Sequence, residues 1–410
     1  MFQPPKGTKD FMPEEMKKLQ FVLDVVRGVF EKYGFQPLET PAFESFDLLA
    51  RKSGEDIKEE IYYFKDKAGR ELGLRFDLTV PMARIVASNP SLPKPFKRYQ
   101  IGKVWRYDQP QAGRFREFWQ ADVDIVGSEN MEADVECLAV ACECMQKLGF
   151  KNFFIRINNR KLLQDLVLKA GISKNKILDL FRSIDKLDKI GWEGVERELK
   201  SKKIENKEIL EVIKKDWREI KIESEGLNEL KELLEIAEIY GIKKYLKVDL
   251  SLVRGLEYYT GPVFEIMAGG KWSCGGGGRY DNLVEALGGG LIPATGISLG
   301  INRIIGLMKE NGLFKLEKEK MVYIAPVEKN VKNNAIKILQ ELRKAGIKAE
   351  IDLMNRKLSK QLEYVNSKGI LWVIIVGEKD LKEGKVTLKN METGEEKKIK
   401  KEEIVKVLES

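Results

Sequence analysis

The apolar pattern of this 410-residue chain predicts an α+β fold with a helical insertion and a C-terminal α/β unit. Three observations carry that prediction. Residues 97–107 (KRYQIGKVWRY) and 117–126 (EFWQADVDIV) are strand-like runs separated by the polar loop DQPQAGRFR, the pattern of an antiparallel hairpin. Residues 159–242 are helical in pattern almost throughout and rich in Lys and Glu. From 321 onward MVYIAPV, NNAIKILQELRKAG, IKAEIDL, KLSKQLEYVNSKG and LWVIIVG alternate strand and helix, as in a sheet covered by helices. The boundaries that follow are 1–158 and 243–318 for a divided first domain, 159–242 for the insertion and 321–410 for the last unit.

In chain order, residues 14–34 (EEMKKLQFVLDVVRGVFEKYG) have amphipathic helical spacing and end at Gly34. GFQPLETPAFESFDLL is extended around Pro37 and Pro41. EIYYFKD (60–66) and ELGLRFD (71–77) read as strands joined by the turn KAGR. A short helix follows in VPMARIVASN, with Pro81 near its first turn. Residues 131–149 read as a helix and NFFIRINN as a strand. Strand character returns at 245–252 (YLKVDLSL) and continues through RGLEYYTG. CGGGGRYDNLVEALGGG (274–290) is glycine-rich, ATGISLGINRIIGLMKENG turns into a helix, and NGLFKLEKEK reads as a linker.

Composition narrows the chemistry. There is no histidine, which excludes Ser-His and Cys-His nucleophilic catalysis and His-ligated metals. Any reaction must use Arg, Lys, carboxylates, Tyr or a bound ion. The four cysteines include no CxxC pair and read as small buried hydrophobes. MFQPPKGTKD lacks the apolar region of a signal peptide, and no apolar run is long enough to span a membrane, so a soluble cytoplasmic protein is expected. Net charge is +8, and residues 320–410 carry 20 Lys/Arg against 14 Asp/Glu, or +6. That excess suits a polyanion and equally a Lys/Glu-rich solvated surface.

Several groups can carry chemistry. Arg106, Arg114 and Arg116 surround a loop region with Asp108 and Glu117. Forked guanidinium donors there suit a nucleoside triphosphate, with Phe118 stacking on a base; ordinary surface ion pairs use the same residues. Gln120, Asp122 and Asp124 alternate with Ala121 and Val123, so they share one sheet face, lining either a polar cavity or solvent. The glycine runs fit neither GxxxxGK[ST] nor GxGxxG in a strand–turn–helix setting and read as close backbone approach to a ligand or strand. Tyr258 and Tyr259, on a strand, would face opposite ways.

Together these stretches become specific. RGLEYYTG, GGGGRYDNLVEALGG and GISLGINRI closely resemble the two histidine signatures and the third class motif of the histidyl-tRNA synthetase family. WRYDQPQAGRFREFWQADVDIVG resembles the second class II motif, and the stretch around Pro41 the first, part of the family's dimer interface. LRFDLTVP is similar to the amino-acid loop in its archaeal and eukaryotic form; bacterial members have Glu-Gly-Thr at Asp77-Leu78-Thr79. The resemblance covers essentially the whole chain in order.

It implies a class II mixed antiparallel sheet flanked by helices, a helical insertion and a C-terminal anticodon-binding α/β domain. The implied partners are L-histidine, ATP, the histidine tRNA and a second copy in a homodimer; Mg2+ is the implied cofactor, with no ligands assigned. The reaction would give histidyl-adenylate and pyrophosphate, then acyl transfer to the tRNA's terminal adenosine. By similarity, Asp77, Leu78, Thr79 and Gln120 hold the amino-acid end, and Asp124 belongs to the same pocket. Tyr258, Tyr259 and Tyr280 line the imidazole site. Arg106 bridges the carboxylate and α-phosphate, Arg254 is the catalytic arginine, and Arg116, Phe118 and Arg303 contact ATP. One departure is Asn302, where the third motif usually has glutamate before its arginine. The alternative is the histidine-binding regulatory paralogue of ATP-phosphoribosyltransferase, which usually lacks the last domain and the catalytic arginine. A chain without histidine would also remain translatable during histidine starvation, though compositional drift gives the same sequence.

Overall fold

The computed structural model describes residues 2–51, 59–107, 115–204, 207–254, 258–269, 272–315 and 321–409. They form two compact units, Met1–Phe314 and Lys315–Ser410. In the first unit the strands are β1 (Gln36–Pro37), β2 (Phe43–Ser45), β3 (Tyr63–Lys65), β4 (Glu71–Leu74), β5 (Phe96–Trp105), β6 (Glu117–Val126), β7 (Phe153–Asn159), β8 (Leu246–Val248), β9 (Pro262–Ala268), β10 (Trp272–Arg279) and β11 (Ala294–Gly300). Eight of them make one sheet in the order β1-β5-β6-β11-β10-β9-β7-β8; β2, β4 and β3 make a small second sheet. β1–β5 and β7–β8 are parallel and the other neighbours in the large sheet antiparallel.

Alternation along the central strands separates two chemistries. Tyr99, Ala121, Val123 and Ile125 join the main core with Leu19, Val22 and Val26 of the helix Pro13–Lys32 and Leu138 and Cys142 of the helix Met131–Lys147. A fully buried side chain of this size contributes roughly 1.5–3 kcal/mol. The intervening residues Arg98, Gln100, Gln120, Asp122 and Asp124 share the other face and are also buried. A polar row closed off from water must find partners or hold a ligand. Helices between 160 and 239 contribute Leu180, Phe181, Leu199, Leu210 and Leu230 to the same main core, so this helical stretch is continuous with the sheet's packing.

Two expectations need correction. The strand expected over 245–252 shortens to β8, and the chain then turns. The strand reading does not extend through Tyr258 and Tyr259: both precede β9, whose first residue is Pro262. Arg254 has φ +63, a left-handed conformation that breaks an extended run.

The second unit is a five-stranded sheet of β12 (Met321–Pro326), β13 (Lys348–Ile351), β14 (Trp372–Val376), β15 (Lys385–Asn390) and β16 (Glu396–Lys400), in the order β13-β12-β14-β15-β16. β12, β13 and β14 are parallel, as the alternating pattern predicts. The antiparallel pair β15–β16 extends the sheet beyond that pattern.

Candidate active site

Glycine creates the floor of the site. β10 runs through Gly275–Gly278 between β9 and β11. A Cβ built on Gly276 would stand 2.5 Å from Nη1 of Arg254 and 2.6 Å from the Phe264 carbonyl oxygen. The missing side chain therefore leaves the space that the guanidinium occupies. Arg254 Nη1 also lies 3.6 Å from Glu265 Oε1 on β9. A non-glycine residue held in the left-handed region carries backbone strain, a cost found most often at functional sites. The 255–257 part of RGLEYYTG, together with Asp108 and Arg114, lies outside the described residues.

Beside Arg254, one cavity is lined by Asp77, Thr79, Arg106, Gln120, Asp122, Asp124, Tyr258, Tyr259, Tyr280 and Ser298. Asp77 and Thr79 are there because a helix, Thr79–Ser88, starts at the sheet; Asp77 Oδ1 accepts from Val80 N at 3.0 Å. Asp77 Oδ2 is buried without a hydrogen-bond partner among the described residues. Burial lifts this carboxyl to about 6, with Arg106 opposing and Asp124 reinforcing the shift. Arg106 donates through Nε to the Phe76 carbonyl at 2.9 Å and places its guanidinium 5.4 Å from the Phe118 ring centre.

The aromatic wall comes from two segments. The Tyr258 and Tyr280 ring centres are 5.7 Å apart edge to face, and Tyr258 and Tyr259 are 4.9 Å apart. Both adjacent tyrosines reach one cavity because their segment is irregular; strand alternation would have separated them. Tyr280 donates its hydroxyl to Asp124 Oδ1. Asp124 Oδ2 lies 2.6 Å from Nη2 of Arg98, which also donates to the Leu78 carbonyl at 3.1 Å.

Arg98 is the residue that sequence reasoning missed. It is wholly buried, at 0% exposure, and pairs with Asp124 in strand register. Its signal was the alternation of Arg98 and Gln100 with Tyr99 and Ile101, the same pattern that marks β6. Burial also lifts Asp122 to about 7, opposed by Arg98 and reinforced by Asp124. Burial raises Asp124 as well, against Arg98. Three buried carboxylates thus share one wall, where each hinders ionisation of its neighbours.

Not every expected residue reaches this cavity. Leu78 is buried behind it and contributes its carbonyl to Arg98. Arg116, Phe118 and Arg303 are not among the cavity's lining residues. Arg116 stacks its guanidinium 4.0 Å from the Tyr107 ring centre, and Arg303 donates to the Ser273 carbonyl at 3.1 Å. The departure at Asn302 has a defined contact: its Oδ1 accepts from Trp119 N at 2.8 Å, tying the helix Ile301–Glu310 to β6. Arg279 of the GGGGRY stretch is structural: it pairs with buried Asp134, which also accepts from Thr295 Oγ1 at 2.7 Å. A larger cleft of about 920 Å³ opens beside β8, with Trp192, Trp217 and six Lys/Arg against three acidic residues in its wall. It shares no residue with the first cavity.

The sequence and the fold also match known proteins. The family profile described as histidyl-tRNA synthetase matches residues 7–304, and that of an anticodon binding domain matches 321–410. The chain is 40% identical, over an alignment 431 positions long, to the histidine–tRNA ligase of Pyrococcus furiosus, covering 100% of this chain and 99% of that one. Identity to the histidine–tRNA ligase of Methanocaldococcus jannaschii is 41%, with 97% of each chain covered. A crystal structure of histidyl-tRNA synthetase from Nostoc sp. PCC 7120 superposes with a TM-score of 0.82 at 30% identity, covering 100% of this chain and 99% of that one. A Bacillus halodurans ATP phosphoribosyltransferase regulatory subunit/histidyl-tRNA synthetase shares the fold, with a TM-score of 0.73 at 22% identity over 92% of this chain and 98% of that one.

Proposed function

The chain belongs to the histidyl-tRNA synthetase family, and from that premise we propose that its cavity joins L-histidine to ATP as histidyl-adenylate before the acyl group passes to the histidine tRNA. The observation that carries this reading is the position of Arg254, a cation seated over the glycine strand at the edge of a cavity walled by carboxylates and tyrosines.

The residues divide the work. Asp77, Thr79 and Gln120 take the substrate's ammonium, for which an anionic acceptor is the natural partner. Tyr258, Tyr259 and Tyr280, with Asp124, surround the imidazole; phenols donate to or accept from ring nitrogens. An apolar amino acid would leave these buried groups unpaired, a penalty that supports discrimination of about 10⁴–10⁵ without editing. Arg106 bridges the substrate carboxylate and the α-phosphate. Arg116 and Arg303 hold the other phosphates, and Phe118 stacks on adenine.

In the first step a carboxylate oxygen bonds to the α-phosphorus as the bond to the bridging oxygen of pyrophosphate breaks. The nucleophile is already an anion and needs no general base, which suits a chain without histidine. Arg254 and Arg106 supply fixed positive charge where negative charge develops, so positioning and electrostatics carry the catalysis. In the second step a ribose hydroxyl of the tRNA attacks the adenylate carbonyl and AMP leaves.

Mg2+ enters this reading as the counter-ion of ATP. Among the described residues no group of three His, Cys, Asp or Glu side chains stands together to hold a metal, so no protein ligands are assigned. The basic excess of the last unit and the lysine-rich cleft beside β8 favour tRNA, whose binding should weaken with salt. A homodimer and a cytoplasmic location belong to the same reading. Among the described residues no helix is long and apolar enough to cross a membrane. The regulatory-subunit alternative is disfavoured by Arg254 and by the match of 321–410 to an anticodon binding domain.

The test is histidine-dependent ATP–pyrophosphate exchange by wild type and Arg254→Ala. Exchange by wild type, and a loss of at least about 10²–10³ in the variant with histidine binding retained, is expected. Histidine binding without exchange by wild type would instead favour the regulatory alternative.

A further inference from the structure

Ser298 faces Asp122 across the β6–β11 register, and both line the cavity with Gln120. Gln120 donates through Nε2 to Ser298 Oγ at 2.7 Å. The Ser298 hydroxyl, opposite Asp122 in that register, favours the charged form of its carboxyl against burial. Two acceptors, Gln120 Oε1 and Asp122 Oδ1, remain buried without hydrogen-bond partners among the described residues.

We propose that Asp122 and Ser298 are positioning residues that fix the side-chain amide of Gln120, so that its carbonyl oxygen and not its NH₂ group meets the substrate's ammonium. This rests on the reading of the cavity as a histidine site. The logic follows proton by proton. Once ionised, above about pH 7, the Asp122 carboxylate only accepts, so it takes the single hydroxyl proton of Ser298. Ser298 then turns lone pairs toward Gln120, and only the NH₂ end of the amide can satisfy them. The two ends of a glutamine amide have nearly the same shape, so packing alone does not choose between them. The chain Asp122–Ser298–Gln120 makes that choice with charge. The reversed amide would point N–H groups at an ammonium and leave its own oxygen facing the Ser298 lone pairs.

The proposal is specific to one functional group of the ligand. Ser298→Ala and Asp122→Asn free the amide orientation. Three ligands then separate the roles: histidine, histidinol (which keeps the ammonium) and 3-(imidazol-4-yl)propionate (which lacks it). Dissociation constants come from calorimetry at pH 8, where Asp122 is ionised, and histidine KM and kcat from pyrophosphate exchange at the same pH. Expected for both variants is about tenfold weaker binding of histidine and histidinol, as one charge-assisted hydrogen bond is worth. The propionate changes less than about twofold, and histidine KM rises with kcat little altered. Equal weakening of all three ligands would mean a structural role and overturn the proposal, as would no weakening of any. If wild type neither binds histidine nor supports exchange, the histidine-site reading fails. If wild type does both and the variants match it, only the positioning role fails.

Discussion

The guanidinium of Arg254 occupies space that any side chain at position 276 would claim: a Cβ on Gly276 would stand 2.5 Å from its Nη1. Gly276→Ala must therefore displace either that cation or the β9 backbone at Phe264, whose carbonyl oxygen would be 2.6 Å away. The expected result is at least about a tenfold loss of kcat in pyrophosphate exchange. Histidine binding, followed by calorimetry, should fall far less. Equal kcat in the two proteins would show that Arg254 does not depend on the glycine floor.

Asp77 offers the substrate an unpartnered oxygen, Oδ2. Asp77→Asn keeps the shape and removes the charge. Hydrogen bonds to charged groups are worth about 1.5–3 kcal/mol, so histidine KM should rise roughly 10–150-fold while ATP KM stays near its wild-type value. Initial rates with each substrate varied in turn give both constants.

Asp122 makes stability depend on pH. Its carboxyl is lifted by burial from 3.8 to about 7. The native state holds this proton more tightly than the unfolded chain does. The resulting stabilisation is full below the unfolded value and is lost as pH rises through about 7. Wild type should lose stability from this source between about pH 4 and pH 7; Asp122→Asn cannot ionise and should not. The Tm difference, variant minus wild type, is expected to grow across that range in scanning fluorimetry of the ligand-free protein. A difference independent of pH would show that Asp122 does not titrate there.

Arg98 balances the buried acids. Arg98→Leu leaves the carboxylate of Asp124 without the cation 2.6 Å away. Breaking one side of a buried pair typically costs about 3–5 kcal/mol. Denaturant unfolding should show a loss of that order, and Arg98→Leu combined with Asp124→Asn should recover part of it.

At Asn302 the prediction separates acceptor from residue type. Asn302→Ala leaves the half-buried N–H of Trp119 without this acceptor, at a cost of about 1–3 kcal/mol. Asn302→Asp keeps an acceptor oxygen and should lie closer to wild type in the same unfolding measurement.

Much of this was legible beforehand. The β5–β6 hairpin, the helices over 159–242 and the parallel part of the last sheet follow from apolar periodicity, which is local. The shared face of Gln120, Asp122 and Asp124 follows from the two-residue period of a strand. Register is not local, so nothing in 98 alone announces its pairing with 124, and Arg98 went unassigned. The tyrosines failed as a strand prediction because the left-handed residue at 254 interrupts a run whose composition is strand-like throughout.

What the sequence by itself determined is which residue types are available and how they alternate: acids without histidine, arginines around a hairpin, glycines where side chains must be missing. Those are properties of short windows, governed by dihedral preference and side-chain period. Only the tertiary structure decided that Arg254 fills the gap over Gly276, that Arg98 neutralises Asp124, and that Gln120 meets Ser298 opposite Asp122. Each depends on bringing distant segments within a few ångströms inside a dry site, where one proton or one missing Cβ changes what the neighbouring group can do.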